Sequence, residues 1–101
     1  MPSKTFFVYI LTNHTGTLYI GMTNNLPRRL WEHKSGEFLG FSAKFKTNKL
    51  IHFEAFADPL FAIAREKELK GWVRKKKVEL VRKSNPKFED LSQNLENHYL
   101  S

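Results

Sequence analysis

The 101-residue chain contains no cysteine. This absence excludes a disulfide framework, a thiolate zinc site and a cysteine nucleophile. No apolar run approaches the ~20 residues that a membrane-spanning helix needs, and the short apolar segment near the N-terminus lacks the cleavage site of a signal peptide. A metalloprotease helix, a glycine-rich phosphate loop and a nucleophile elbow are also missing. The sequence therefore predicts a cytoplasmic protein that lacks these particular catalytic and phosphate-binding motifs.

Large hydrophobic side chains are plentiful, with nine Phe, three Tyr and two Trp in a chain that is 41% hydrophobic. That content is too high for a disordered chain, and the length suits one domain. We expect residues 1–101 to form a single domain with its core at about 5–88. Residues 89–101 are predicted to be a polar tail, in which Leu91, Leu95 and Leu100 could pack as one more short helix.

Positive charge is concentrated in one part of the chain. The net charge is +7, and residues 64–83 alone hold nine Lys and Arg against three Glu. Such a block favours a polyanionic partner, either nucleic acid or an anionic membrane surface. The alternative is that these basic side chains form an ordinary solvent-exposed helix face that binds no polyanion.

Turn signals and hydrophobic periodicity divide the chain into strands and helices. Residues 5–12 are nearly all apolar, which is typical of a strand buried on both faces, and the turn chemistry of 13–16 predicts a hairpin. Residues 23–25 offer N-cap side chains in front of Pro27. The predicted elements are strand 5–12, strand 17–22, helix 26–34, strand 49–56, helix 59–73 and a helical or kinked continuation over 74–83.

Residues 36–48 are predicted to be irregular, and a break is expected at 84–86 because the residue before a proline is pushed out of the helical region. The order is thus β-β-α-β-α-α. It predicts an α+β domain in which helices flank a three-stranded antiparallel sheet.

One carboxylate falls where apolar side chains are expected. On a wheel of about 100° per residue, Ala62, Leu69 and Val73 define the buried stripe of the long helix, and Glu66 lies about 40° from Ala62. A buried carboxylate must be paired, hydrogen-bonded or bound to a metal. The alternative is a narrower stripe with Glu66 at its solvent edge.

The first helix places two basic side chains together. Leu26, Leu30 and His33 share a face, and Arg29 is a neighbour of His33 because the two are four residues apart. Two neighbouring side chains that are cationic or can become so repel each other unless an anion lies between them or they are exposed to solvent. The alternative is a surface arginine beside a neutral, half-buried histidine that is hydrogen-bonded to backbone.

Two tyrosines occupy the middle of the predicted hairpin strands. Tyr9 and Tyr19 lie on one face if paired residues have numbers that sum to an even value. They could be core aromatics whose hydroxyls reach the rim of the sheet. Taken with Arg29, His33 and Glu66, they also match the needs of phosphodiester hydrolysis: a cation for the phosphate, a carboxylate for one divalent metal and a proton acceptor.

The spacing of these residues resembles the GIY-YIG nuclease superfamily. The matching positions are Phe7-Val8-Tyr9, Tyr19-Ile20-Gly21, Arg29, His33, Glu66 within residues 62–70, and Asn85. The resemblance covers about residues 5–88 and looks closest to small standalone bacterial members related to the nuclease module of UvrC. Phe7 and Val8 stand where the family has Gly and Ile; both keep a strand interior and leave Tyr9 in place.

The resemblance implies a one-metal DNA endonuclease or nickase. Glu66 would be the sole protein ligand of a Mg²⁺ or Mn²⁺ ion that keeps several waters, and Arg29 would stabilise charge on the scissile phosphate. Tyr9, with Tyr19 and His33 nearby, would orient or deprotonate the attacking water. Asn85 would hold the geometry by hydrogen bonds.

DNA is the expected partner, and no membrane or obligate protein partner is inferred. Low sequence specificity is expected because no separate DNA-binding domain is present. The predicted DNA-contacting residues are Lys67, Lys70, Arg74, Lys75 and Lys77. Otherwise the DNA would follow Lys44, Lys46 and Lys49. Two other hypotheses remain: a catalytically weak nucleic-acid-binding module of the same fold, and a membrane-surface protein that uses residues 64–83.

Overall fold

The structure, a computed structural model, describes residues 4–35 and 49–92. The elements in chain order are β1 Phe6–Thr12, β2 Leu18–Thr23, α1 Leu26–Ser35, β3 Lys49–Phe56, α2 Pro59–Gly71 and α3 Arg74–Ser84. This confirms the predicted α+β class with a three-stranded antiparallel sheet. The predicted irregular segment 36–48, and Leu95 and Leu100 of the predicted tail helix, lie outside the described residues.

β1 is the central strand of a sheet with the order β2-β1-β3. Its residues Val8, Tyr9, Ile10 and Leu11 are each at most 1% exposed, as expected of a strand covered on both faces. A tight hairpin turn joins it to β2, where the Asn13 side chain accepts hydrogen bonds from two backbone amides at 3.0 Å. Gly16 completes the turn with a φ of 85°, a conformation that glycine adopts without strain.

The hairpin register brings the two tyrosines to one face of the sheet. Tyr9 pairs with Gly21, and Leu11 pairs with Tyr19, so the numbers of paired residues sum to an even value. Since side chains alternate along a strand, Tyr9 and Tyr19 project from the same face. Helix α1 packs on this face through Leu26 and Leu30.

The opposite face is covered by the other two helices. Its core consists of Val8, Ile10, Ile20, Ile51, Ala62, Leu69 and Val81. The pairing of β1 with β3 shifts between Ile10, which faces His52, and Leu11, which faces Leu50. Ile51 is therefore the extra residue of a β-bulge, and it is fully buried in this core.

The long helix ends earlier than the sequence predicts. α2 begins with Asp58, whose side chain accepts from the Leu60 amide at 2.8 Å, but it ends at Gly71 instead of residue 73. Trp72 and Val73 are extended, with ψ of 148° and 155°, and α3 starts afresh at Arg74. The placement of Val73 in the buried stripe was wrong, because Val73 is 71% exposed. The Trp72 side chain packs against the core in its place.

The break predicted at 84–86 lies at the end of α3. Asn85 caps the helix and is only 5% exposed. Its Nδ2 donates to the Ile51 carbonyl at 3.1 Å and the Glu89 carbonyl at 2.9 Å, while its Oδ1 accepts from the Glu89 amide. The asparagine thereby fixes the returning chain to the bulge in β3. Within the described ranges, no helix is long and apolar enough to cross a membrane.

Candidate active site

The site begins with a close approach of Tyr9 to the backbone of β2. Gly21 lies opposite Tyr9, and a Cβ on Gly21 would sit 2.5 Å from the Tyr9 hydroxyl oxygen and 2.6 Å from its Cζ. The phenol ring therefore occupies the space that any other residue at this position would fill. Tyr19 lies beside it, with the two ring centroids 6.3 Å apart. Glycine is required here by contact and not by its backbone angles.

His33 of α1 completes an aromatic cluster with the two tyrosines. Its Nε2 lies 3.3 Å from the Tyr9 hydroxyl oxygen. The ring meets Tyr9 and Tyr19 edge to face, at centroid distances of 6.0 and 5.4 Å. Burial, and secondarily the Arg29 charge, lower the pKa of His33 to about 4. The imidazole is therefore neutral near pH 7, and its Nε2 contacts the Tyr9 phenol.

Tyr9 itself holds its proton firmly. Burial is the main cause that raises its pKa, and the neighbouring Tyr19 and Glu66 act in the same direction, whereas Arg29 opposes them. A free tyrosinate is thus disfavoured. These contributions also show that Tyr19, Arg29 and Glu66 all lie within electrostatic range of the Tyr9 hydroxyl.

Arg29 lies on the flank of α1 next to His33. Its side chain is 31% exposed and its Nε is 3.5 Å from a carboxylate oxygen of Glu32. A polar cavity of about 240 Å³ continues from Arg29 along the start of the helix. Its lining residues are Thr23, Asn24, Asn25, Arg28, Arg29 and Glu32. The guanidinium thus faces both the aromatic cluster and an open polar space.

Glu66 approaches from α2 on the other side of the sheet. Its side chain is 21% exposed, and Lys70 one turn later pairs with it at 3.3 Å. Glu66 therefore lies at the edge of the stripe and has the partner that a half-buried carboxylate requires. In the described part of the chain, no group of three or more His, Cys, Asp or Glu side chains could hold a metal ion. A lone carboxylate suits a hard cation that keeps most of its water.

Three of the six residues predicted for chemistry, Tyr9, Tyr19 and His33, contact one another in the structure. Arg29 and Glu66 lie within electrostatic range of the Tyr9 hydroxyl. Asn85 stands apart. Its amide is occupied by the backbone at Ile51 and Glu89, so it supports the fold and has no hydrogen bond to the tyrosines.

The basic residues are divided between two helices. Because the chain is extended at Trp72 and Val73, Lys70 lies on α2, whereas Arg74 and Lys77 lie on α3, and the three do not share one continuous helix. The Arg74 guanidinium lies against the hairpin turn, where a Cβ on Gly16 would be 3.0 Å from its Nη2. Lys67, Lys70, Arg74 and Lys75 are exposed, and Lys77 is half-buried. Lys44 and Lys46 of the alternative path lie outside the described residues.

Sequence reasoning missed two groups that hold these elements in place. Glu54 of β3 binds Arg65, the neighbour of Glu66, through contacts of 2.8 and 3.1 Å. Asp90 in the predicted polar tail binds Lys34, the neighbour of His33, at 3.2 Å. The two partners in each pair belong to different elements, so no local sequence pattern marks the pair. The one signal in the sequence is that Arg65 and Lys34 directly adjoin the predicted site residues Glu66 and His33.

Comparison with known proteins agrees with this geometry. The model of the GIY-YIG catalytic domain matches residues 5–79, and the chain belongs to this family. UPF0213 proteins of Haloquadratum walsbyi and Natronomonas pharaonis are 36% and 39% identical over 75 residues, which is 74% of this chain and 84% and 88% of theirs. A UPF0213 protein of Bacillus halodurans, solved by solution NMR, is similar with a TM-score of 0.57 and 29% identity. The match covers 88% of this chain and 95% of that one.

The family is one of nucleases, which act on nucleic acid and generally use divalent metal ions. The predicted resemblance is therefore confirmed at the level of the superfamily. The closer likeness to the UvrC module stays a prediction.

Proposed function

We propose that this protein is a divalent-metal-dependent DNA endonuclease or nickase of low sequence specificity. The observation that carries the proposal is the hydrogen-bonded pair of the Tyr9 phenol and the His33 imidazole, with the Arg29 cation and the Glu66 carboxylate within electrostatic range of the Tyr9 hydroxyl. These groups come from β1, α1 and α2, so only the folded chain assembles them. Phosphodiester hydrolysis needs this combination of groups.

Tyr9 faces the attacking water, with His33 as the proton acceptor behind it. The Tyr9 hydroxyl oxygen lies 3.3 Å from Nε2 of the neutral imidazole. In the proposed step the hydroxyl donates to this nitrogen, since a neutral imidazole has one ring nitrogen that accepts. Because burial disfavours a free tyrosinate, Tyr9 passes its proton to His33 as it takes one from the water. Tyr19 packs against both rings and fixes their orientation.

Arg29 binds the phosphate. Its guanidinium charge stabilises the negative charge that develops on the phosphate oxygens in the transition state. A phosphate at Arg29 also neutralises one of the two influences that lower the pKa of His33. Substrate binding thereby makes His33 a better proton acceptor.

Glu66 would hold the metal ion. Lys70, which pairs with Glu66 at 3.3 Å, would give way to the ion and turn toward the DNA backbone. A Mg²⁺ or Mn²⁺ ion held there would supply Lewis-acid chemistry, polarising the phosphate and lowering the pKa of water. The basic residues Lys67, Lys70, Arg74, Lys75 and Lys77 would contact phosphates, which position DNA without reading its sequence.

Plasmid nicking tests this proposal. Supercoiled DNA is incubated with the wild type, Glu66→Gln and Arg29→Ala in Mg²⁺, Mn²⁺ or EDTA. We expect metal-dependent nicks from the wild type and a loss of at least about 10²-fold in each variant, since each lacks one electrostatic group. Arg82→Ala, an exposed arginine at the end of α3, is the matched control and should cleave normally. Equal cleavage by all four proteins would reject the site.

The second candidate is a nucleic-acid-binding module that cleaves poorly. The observation in its favour is the Glu66–Lys70 ion pair, which competes with a metal ion for the carboxylate. The two functions are separated by Lys70→Ala. In a nuclease it frees Glu66 for metal, whereas in a binding module it changes only the affinity for DNA.

A further inference from the structure

Residues 89–92 lie beyond the part of the chain that matches the family model, yet they are tied closely to the fold. Asp90 is the centre of these contacts. Its Oδ1 accepts from the Leu50 amide at 3.2 Å and from the amide and hydroxyl of Ser92 at 3.0 and 2.6 Å. Its Oδ2 accepts from Nζ of Lys34 at 3.2 Å.

The neighbouring residues reinforce this attachment. The Leu91 amide donates to the Leu50 carbonyl at 2.8 Å, and Lys34 also donates to the Ser92 hydroxyl at 2.7 Å. The Leu91 side chain packs on the core beneath α1. Burial works to raise the pKa of Asp90, but hydrogen bonds from Ser92 and the Lys34 charge outweigh it, so the carboxylate stays ionised. We name residues 89–92 the strap.

The path into the strap is constrained as well. Asn85 binds the backbone of Glu89 on both its carbonyl and its amide. Between them Phe88 has a φ of 52°, an unfavourable conformation for a bulky residue. Such a conformation persists only where the surrounding contacts over-determine it. The approach to the strap is therefore a fixed turn.

The strap contacts α1 through Lys34, which lies on the other side of Leu30 from His33. With 3.6 residues per turn, Lys34 lies about 40° to one side of the buried Leu30, and His33 lies about 60° to the other. A rotation of α1 that loosens Lys34 from Asp90 also moves His33 relative to the Tyr9 hydroxyl. Burial of Leu26 and Leu30 sets which face of α1 is turned toward the core, and the Lys34 ion pair adds a directional restraint on this rotation.

We propose that Asp90 is a positioning residue: through Lys34 it fixes the rotation of α1 and so keeps His33 and Arg29 in place around Tyr9. The proposal rests on the proposed nuclease function for its catalytic consequence. Its geometric content, the Tyr9–His33 contact, can be measured without any cleavage.

The experiment compares Asp90→Asn and Lys34→Met with the wild type in the full chain. Asp90→Asn keeps an acceptor for Leu50 and Ser92 but removes the charge that faces Lys34. At saturating supercoiled plasmid with Mg²⁺, we expect the nicking rate to fall about 10-fold to 10²-fold, the scale of a small misplacement of catalytic groups. The plasmid concentration for half-maximal rate should stay within about twofold. Lys34→Arg, which keeps the ion pair, should restore the rate.

Two controls separate positioning from a general loss of stability. Glu89→Gln makes the same charge change at the adjacent exposed residue, and Val81→Ala truncates the core on the other face of the sheet. Each protein is assayed at a temperature where it is fully folded. The proposal is overturned if Asp90→Asn and Lys34→Met cleave like the wild type, or if Val81→Ala loses as much activity as they do.

A readout without catalysis distinguishes this proposal from the function on which it rests. NMR cross-relaxation between the Tyr9 and His33 ring protons should be strong in the wild type and weakened in both strap variants. If the wild type does not cleave DNA, the proposed function fails while this measurement still decides the role of Asp90. Unchanged cross-relaxation in both variants would overturn that role.

Discussion

Gly21 leaves room for the Tyr9 ring in the candidate active site because it has no side chain. The phenol of Tyr9 lies where a Cβ of residue 21 would be, so Gly21→Ala must displace the Tyr9 hydroxyl. We expect a loss of about 1–3 kcal/mol in the free energy of unfolding, the usual cost of overpacking, together with a strong loss of nicking.

The matched control for this prediction is Gly71→Ala. No atom lies within 4 Å of a Cβ at Gly71, which ends α2. This variant should be neutral or stabilised by up to about 1 kcal/mol, because alanine favours the helix. Denaturant unfolding measures both variants, and equal stability of the two would show that the Tyr9 ring is not confined.

His33 predicts a pH dependence of stability. The folded protein holds the pKa of His33 at about 4, below the ordinary value of 6.5. As the pH falls from 6.5 to 4, His33 is protonated in the unfolded chain but stays neutral in the folded chain, so protonation stabilises the unfolded state relative to the folded one. The free energy of unfolding should decrease by on the order of 3 kcal/mol over this window and His33 should add no further loss below it.

Urea unfolding of the wild type and His33→Leu at a series of pH values measures this contribution. The variant should lack the loss between pH 6.5 and 4.5, and parallel curves would contradict the prediction. Glu54 and Asp90 act at lower pH. Burial works to raise the pKa of each carboxyl, but its hydrogen bonds outweigh burial and leave the pKa below the ordinary value. Their stabilising effect is lost as the pH falls through those lowered values.

At the scale of elements, α2 is fastened to the sheet by a bidentate ion pair. Arg65 Nε and Nη2 contact the two carboxylate oxygens of Glu54 at 2.8 and 3.1 Å, and His52 lies 2.8 Å from the same carboxylate. We expect Arg65→Ala to lower the free energy of unfolding by about 1.5–3 kcal/mol, the scale of a hydrogen-bonded charge that loses its partner.

A double-mutant cycle with Glu54→Ala measures the coupling between these two side chains. The comparison pair is Arg28 and Glu32 on α1, which are 3.6 Å apart, with the arginine side chain 61% exposed. That pair should couple by no more than about 0.5 kcal/mol. Equal coupling energies in the two cycles would show that Glu54 and Arg65 do not anchor α2.

The elements differ in how far the sequence predicts them. The strands and α1 follow from local signals: the apolar run around Tyr9, the Asn13 turn and the Asn25 cap, whose side chain accepts from the Arg28 amide at 3.2 Å. The end of α2 does not. A helical wheel assumes an unbroken helix, but the chain leaves the helix after the exposed Gly71, where glycine costs about 1 kcal/mol in a helix.

Trp72 shows why tertiary contacts decide this boundary. Its ring packs on the core with the Arg65 guanidinium 5.1 Å and the Lys76 ammonium 4.2 Å from its centroid. These cation–π contacts join two helices through one side chain. For the site, the sequence placed Tyr9 and Tyr19 on one face only if the hairpin had an even register, and the structure has that register. The strap was missed because its residue Leu91 and the β3 residue Leu50, to which it is hydrogen-bonded, are 41 positions apart.

For the whole molecule, the charge distribution predicts how DNA binding responds to salt. With a net charge of +7 concentrated in α2 and α3, binding should be nearly independent of sequence and should weaken steeply with salt. Removal of one basic side chain that binds a phosphate should reduce the log–log slope by about one. Arg74→Glu with Lys77→Glu should therefore lower both the affinity and the slope, with little effect on the nicking rate of bound DNA.

Titrations at several salt concentrations with the Glu66→Gln protein measure binding apart from cleavage. The double variant Lys4→Glu with Lys87→Glu changes the net charge by the same amount at exposed positions elsewhere. A slope lowered equally by both double variants would mean that only the total charge matters, and that α3 makes no particular contact with DNA.

The strap also covers part of the exposed edge of the sheet at β3. An edge strand normally offers unpaired amides and carbonyls to which another strand can add. At Leu50 both groups are already taken, the carbonyl by the Leu91 amide and the amide by the Asp90 carboxylate. Growth of the sheet from this position is therefore blocked from within the chain. A protein cut after Glu89 would expose that edge, and aggregation, seen as light scattering on storage, is the expected consequence.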